Sequence, residues 1–187
     1  MKTMLHILEA QLQAGHPLVL AAIVDTSGST ARGPGAVMLT GKDGILWGTV
    51  GGGIAEHRAA QTARSMPENG APRLQWFRVN ENDTDNPGEI QVFFTGLSPA
   101  DPTLPPLMEE IHRCIAADTA LWLVLDLQHG KPGLSDSSGT VRGLDTRIPD
   151  WRPTPGAQRY RTADTDLLAL PLHSRNPSQE KWNWQEN

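Results

Sequence analysis

The chain has 187 residues, 38% hydrophobic and 20% charged, with a formal net charge of -5 at pH 7. That length and balance suit one domain with a real core and exclude disorder throughout. The acidic balance excludes a general nucleic-acid grip, which needs a basic face, and a single cysteine excludes a disulfide framework or a multi-thiolate zinc site.

In chain order, "MKTMLHILEAQLQAG" places Met1, Met4, Leu5, Leu8 and Leu12 at helical spacing, and Gly15 closes that helix. The segment carries Glu9 and lacks a signal-peptide apolar core. No apolar run approaches the roughly 20 residues of a membrane helix. A soluble cytoplasmic protein with no membrane partner is expected. "LVLAAIV" (Leu18 to Val24) is a continuous apolar run of strand length, as in a sheet covered on both faces. "AVMLT" and "ILWGTV" read as a hairpin, with Gly41 to Gly44 as its turn. A helix follows from about Gly53 to Met66, ended by Pro67, and then two strands, "RLQWFRV" and "IQVFFTGL". Leu104, Leu107, Met108, Ile111 and Ile115 mark another helix, and "ALWLVLDL" another buried strand. From Gly130 to Tyr160 the chain is rich in Gly, Pro, Ser and Arg, with a hairpin expected around "SDSSGTVRG". "LLALPL" (Leu167 to Leu172) is a last short strand. The order reads as α/β: a mixed β-sheet flanked by helices, one domain over residues 1–175 and a polar tail over 176–187.

Two loops stand out. "DTSGSTARGPGAVM" (Asp25 to Met38) is longer than the two to five residues of a simple hairpin turn. It offers hydroxyls at Ser27, Ser29 and Thr30 and a fixed cation at Arg32, whose fork suits phosphate or carboxylate oxygens. In "GTVGGGIAEHRA" (Gly48 to Ala59) a strand runs through three glycines into a helix. Glycines there let the backbone approach a ligand and turn its N–H groups outward. The helix start adds free donors and partial positive charge, which favours an anion, most often a phosphate. The triple glycine lacks the Lys-Ser/Thr of a Walker loop and does not match GxGxxG, so the residues point to a phosphate-bearing or other anionic ligand without choosing one.

The remaining candidates have plainer readings. Cys114 lies on the apolar stripe of its helix and reads as core. Glu56, in the first helical turn, suits the dipole there and is the acid/base candidate nearest the loops. His57 and Arg58 read as solvated, with Arg58 able to reach a phosphate. His112, His129 and His173 have no metal-ligand spacing, so no metal site is expected. Asp83, Asp85 and Glu89 form an acidic loop. Trp182 and Trp184, odd in a polar tail, read as packing back on the domain or covering a surface where a further domain would sit.

The stretch from Asp25 to Ala59 resembles the N-terminal domain of the XdhC/CoxI family, accessory factors for molybdenum hydroxylases such as xanthine dehydrogenase and carbon monoxide dehydrogenase. The family pattern is a strand, a GS-(T)-PR-x-GA-x-M loop, then G-(T)-(V/I)-(S/G)-GG-x-x-E. It falls on Gly28, Ser29, Thr30, Arg32, Gly35, Ala36 and Met38, then on Gly48, Thr49, Val50, Gly51, Gly52, Gly53 and Glu56. The resemblance weakens after about Met66. It implies binding of the molybdenum cofactor (molybdopterin), a phosphate-bearing pterin, and its delivery to a molybdenum hydroxylase apoenzyme. The implied cofactor-binding residues are Ser27, Gly28, Ser29, Thr30, Arg32, Gly33, Gly35, Met38, Gly51, Gly52, Gly53 and Glu56.

The chain departs from the family at two points. Cysteines common there have no counterpart at Gly53 or in "DNPGEIQVFF", where Asn86 and Pro87 stand, so a cysteine-based role in holding or sulfurating molybdenum is not expected. Family members also continue into a Rossmann-like domain where this chain reads "PLHSRNPSQEKW"; that domain is expected on another chain if it is used at all. Two alternatives stay open: an enzyme acting on a phosphorylated or nucleotide ligand, and a non-binding interaction module, such as a homodimer. Without a His or Lys beside the loops as an activating base, a cofactor-binding chaperone is favoured over a catalyst.

Overall fold

A computed structural model describes residues 2–68, 70–79 and 87–173. Asp83, Asp85, Asn86, Trp182 and Trp184 lie outside the described residues. Contacts divide the chain into two compact units, Met1–Pro99 and Ala100–Asn187.

The first unit contains α1 (Lys2–Gln13), β1 (Leu18–Ser27), β2 (Val37–Gly41), β3 (Gly44–Gly48), α2 (Gly53–Arg64), β4 (Arg73–Arg78) and β5 (Glu89–Leu97). Its sheet has the order β3-β2-β1-β5-β4, antiparallel at every junction. Gly15 ends α1 at φ 78°, its N–H bonded to the Leu12 carbonyl at 3.0 Å, because a left-handed residue there is cheapest as glycine. α1 buries Met4 and Leu5 where it packs on β1 and β3. The apolar run of β1 is explained by its central place: Ala21 and Ile23 join a core with Met38, Phe77, Ile90, Val92 and Phe94 beneath Ala55, Ala59 and Ala63 of α2. Leu18, Leu20 and Ala22, on the alternate face, are buried as well. The small alanine stripe brings α2 close to the sheet.

The second unit contains α3 (Leu104–Ala116), β6 (Leu121–Asp126), β7 (Pro132–Ser135), β8 (Thr140–Arg142), β9 (Thr146–Arg147), β10 (Gln158–Arg161) and β11 (Asp166–His173). Its sheet order is β10-β11-β6-β7-β8-β9, again antiparallel. The buried strands β6 and β11 are its centre. Leu104, Met108, Ile111 and Cys114 form the buried stripe of α3. Trp151 packs between Trp122 and Tyr160, with ring centroids 5.3 and 5.7 Å away. The α/β class read from the sequence is the one observed, with its strands divided between two antiparallel sheets. Among the described residues, no helix is long and apolar enough to cross a membrane.

Candidate functional site

The register places both glycine-rich loops at one edge of the first sheet. β1 and β3 each run antiparallel to β2, so both point the same way and end together. Ser27, at the end of β1, pairs with Glu89 at the start of β5, and Glu89 pairs with Arg78 at the end of β4. Three connections therefore leave this edge: residues 28–36, residues 49–52, and the segment reaching Pro87 and Gly88.

The first loop is folded back on its strand. The Gly35 N–H donates to the Ile23 carbonyl at 2.8 Å, and the Ile23 N–H donates to the Ala36 carbonyl at 2.9 Å. The other end of the loop leans on Pro87 and Gly88. A Cβ on Gly28, at φ 66°, would stand 2.0 Å from the Pro87 carbonyl oxygen, and one on Gly88 would stand 1.8 Å from the Ser29 carbonyl oxygen. Only glycine tolerates that approach. Ser27, Ser29 and Gly33 are exposed, Thr30 and Arg32 half-buried, and Gly35 buried. Among the described residues Arg32 has no carboxylate partner within ion-pair distance.

The second loop is built differently. Gly51, Gly52 and Gly53 have φ of 125°, 78° and 63°, three successive residues in the region that L side chains avoid. Nothing lies within 4 Å of a Cβ at Gly52 or Gly53, so these glycines answer to backbone conformation and not to crowding. The turn is locked from inside. Glu56 Oε2 accepts the Val50 N–H at 3.1 Å, the Gly52 N–H at 3.4 Å and the Thr49 hydroxyl, while Thr49 Oγ1 accepts the Gly51 N–H at 3.0 Å. The amides of Gly53, Ile54 and Ala55 precede the first intrahelical bond, from the Glu56 N–H to the Gly52 carbonyl at 3.4 Å.

The two loops meet at Arg32. Its Cγ lies 3.9 Å from where a Cβ on Gly51 would stand, so the cation of the first loop borders the glycine turn of the second. The edge thus gathers hydroxyls from Ser27, Ser29 and Thr30, a guanidinium and the start of α2. Such a set can hold an anionic group.

Not every expected residue reaches this edge. Met38 is 0% exposed and lies in the core beneath α2, because the alternation of β2 turns it inward. It anchors the strand and cannot touch a ligand. Pro87 and Gly88 shape the first loop, although the sequence reading placed only an acidic loop in this region. A groove of about 550 Å³ runs along α2 and β4, lined by Arg58, Gln61, Thr62 and Ser65 on one side and by Gln75 to Arg78 and Glu89 on the other. Of the residues weighed from the sequence it contains Arg58 and Glu89, and none of the implied cofactor-binding set. It is wide and open, whereas the two glycine-rich loops leave one edge of the sheet and touch through Arg32, so the edge is the stronger candidate. Cys114, in the second unit, is 2% exposed; burial, and then Glu110 beside it, push its thiol pKa up, which suits an inert core residue.

These features define a class: an antiparallel sheet under an alanine-striped helix, with two glycine-rich loops joined at one edge. Residues 11–78 match the model of the XdhC and CoxI family. Both loops fall inside it; Pro87 and Gly88 fall outside. The chain is 38% identical over 72 residues to the uncharacterized protein YqeB of Escherichia coli (strain K12), a match covering 38% of this chain and 13% of that protein. It also resembles the crystal structure of a xanthine dehydrogenase from Bacillus halodurans, with a TM-score of 0.57 and 21% identity over 80% of this chain and 45% of that one. The chain spans less than half the length of both proteins.

Proposed function

We propose that the chain is an accessory module of molybdenum hydroxylase maturation that binds the molybdenum cofactor at the glycine-rich edge of its first unit and passes it to an apoenzyme. The observation that carries the reading is the meeting of the two loops, with Arg32 beside Gly51. The donor set fits a molybdopterin phosphate: Arg32 and the hydroxyls of Ser27, Ser29 and Thr30 would hold its oxygens. When bound, the cofactor supplies the metal and pterin chemistry; this chain supplies a grip. Glu56 favours binding over catalysis, because one of its oxygens is already committed to three donors. The partner is a molybdenum hydroxylase apoenzyme, a Rossmann-type domain on a second chain can complete the assembly, and the setting is cytoplasmic.

The test is native mass spectrometry of protein purified from cells that make the cofactor. Retained molybdopterin mass, lost in Arg32→Ala, is expected. Protein that never carries it, even after incubation with the released cofactor, overturns the reading.

A further inference from the structure

Glu56 suggests a base when read from the sequence, and its surroundings assign it another role. Three donors, the Val50 and Gly52 amides and the Thr49 hydroxyl, converge on its Oε2, and Thr49 Oγ1 in turn takes the Gly51 amide. Successive amides aimed at one point make an anion-binding concavity. Here the anion is the chain's own carboxylate, so a phosphate entering the turn would meet both filled donors and a like charge. The other oxygen, Oε1, forms no hydrogen bond among the described residues, and the side chain is only half-buried. An ionised carboxylate oxygen only accepts.

We propose that Glu56 is the specificity-determining residue of this edge. It fills the glycine turn against phosphate and offers Oε1 to a hydrogen-bond donor on the ligand, such as the N–H edge of a heterocycle. The ligand's anionic group is left to Arg32 and the Ser27–Thr30 hydroxyls, which fixes the orientation of the ligand across the edge. The second half of the proposal rests on the cofactor-binding reading above; the filling of the turn does not.

Two measurements test it. The first follows melting temperature against inorganic phosphate, with chloride at matched ionic strength as control, in Arg32→Ala and in Arg32→Ala/Glu56→Ala. The Arg32→Ala background removes the other anion site. Phosphate should leave Arg32→Ala unmoved and raise the double variant, by refilling the vacated turn. Equal responses of the two proteins overturn the filling of the turn. The second compares wild type with Glu56→Gln, whose amide oxygen still accepts from the turn but whose NH₂ group replaces the outer acceptor. Its melting temperature should stay near wild type while its affinity for molybdopterin falls about tenfold. Undiminished affinity would reduce Glu56 to a structural brace and overturn the specificity role. A wild type that binds no molybdopterin sinks the functional reading instead, and the phosphate melts then decide the turn alone. Should the double variant fail to fold, a phosphate-insensitive Arg32→Ala with weakened Glu56→Gln binding supports the proposal, and a phosphate-stabilised Arg32→Ala overturns it.

Discussion

Arg32 and the glycine turn beside it differ from the arginines and glycines of the second unit. In residues 100–187, Arg113 and Arg142 both converge on Glu110, and Arg159 and Arg161 reach Asp166 at 2.7 and 3.4 Å. The glycines there admit close packing: a Cβ on Gly133 would stand 2.8 Å from the Arg142 carbonyl oxygen, and one on Gly139 would stand 2.6 Å from Trp151 Cβ. In residues 1–99, Arg32 lacks a carboxylate among the described residues and borders a turn whose Gly52 and Gly53 face open space. A cation neutralised inside the fold is architecture. Arg32 has no such partner among the described residues, and the proposed anion site rests on that difference.

That contrast can be broken most forcefully at Gly28. Alanine there must adopt φ 66° and place its Cβ 2.0 Å from the Pro87 carbonyl oxygen, so Gly28→Ala should cost about 3 kcal/mol or more. Gly53→Ala meets no atom within 4 Å and carries only the strain of φ 63°, about 1–2 kcal/mol. Thermal melts of the two variants compare them directly. Equal losses would mean that crowding against Pro87 does not shape the first loop.

The paired cations of the second unit give the next effect. Asp166 is held below the ordinary aspartate pKa first by its hydrogen bond from Arg159, and then by the charges of Arg159 and Arg161 against the opposing effect of burial. Its folded pKa is lower than its unfolded one. The stability it contributes is therefore present above the unfolded aspartate value and is lost as pH falls through the folded one. Asp166→Asn should cost about 2 kcal/mol at neutral pH and remove part of the acid sensitivity of unfolding. An unchanged acid limb would show that Arg159 and Asp166 are a surface pair of no consequence. The smallest effect belongs to Cys114: Cys114→Ala should cost about 1 kcal/mol and leave molybdopterin binding intact. Thiol reagents should label the native thiol slowly and the denatured one fast; rapid native labelling blocked by cofactor would restore a sulfur-transfer role.

Periodicity carried much of this architecture in the sequence. The stripes of α1 and α3, the run of β1 and the hairpin of β2 and β3 follow from helical spacing, continuous apolarity and a Gly-Lys-Asp-Gly turn. The short polar strands did not announce themselves: β9 is Thr146–Arg147 and β10 is "QRYR". Nor did the pairing of β6 with β11, which lies far along the chain and turns the C-terminal region into a sheet of its own. At the candidate site the residue types were legible and their contacts were not. Glycines, hydroxyls and Arg32 signal an anion by chemistry alone, but the approach of Arg32 to Gly51 needs the register of three strands. Met38 sits in the family motif and yet points into the core, which only strand alternation decides. Gly88 matters through a contact with Ser29 that has no local signature, and Glu56 turns back on its own helix start.

The central claim is that Arg32, beside the glycine turn, holds the anionic group of the ligand. Titration of molybdopterin into wild type and Arg32→Ala by calorimetry tests it most directly, with thermal melts to show that folding is unchanged. Loss of a charge-assisted hydrogen bond should weaken binding by about one to two orders of magnitude. Equal affinities in two equally stable proteins would remove Arg32 from the site and contradict the account.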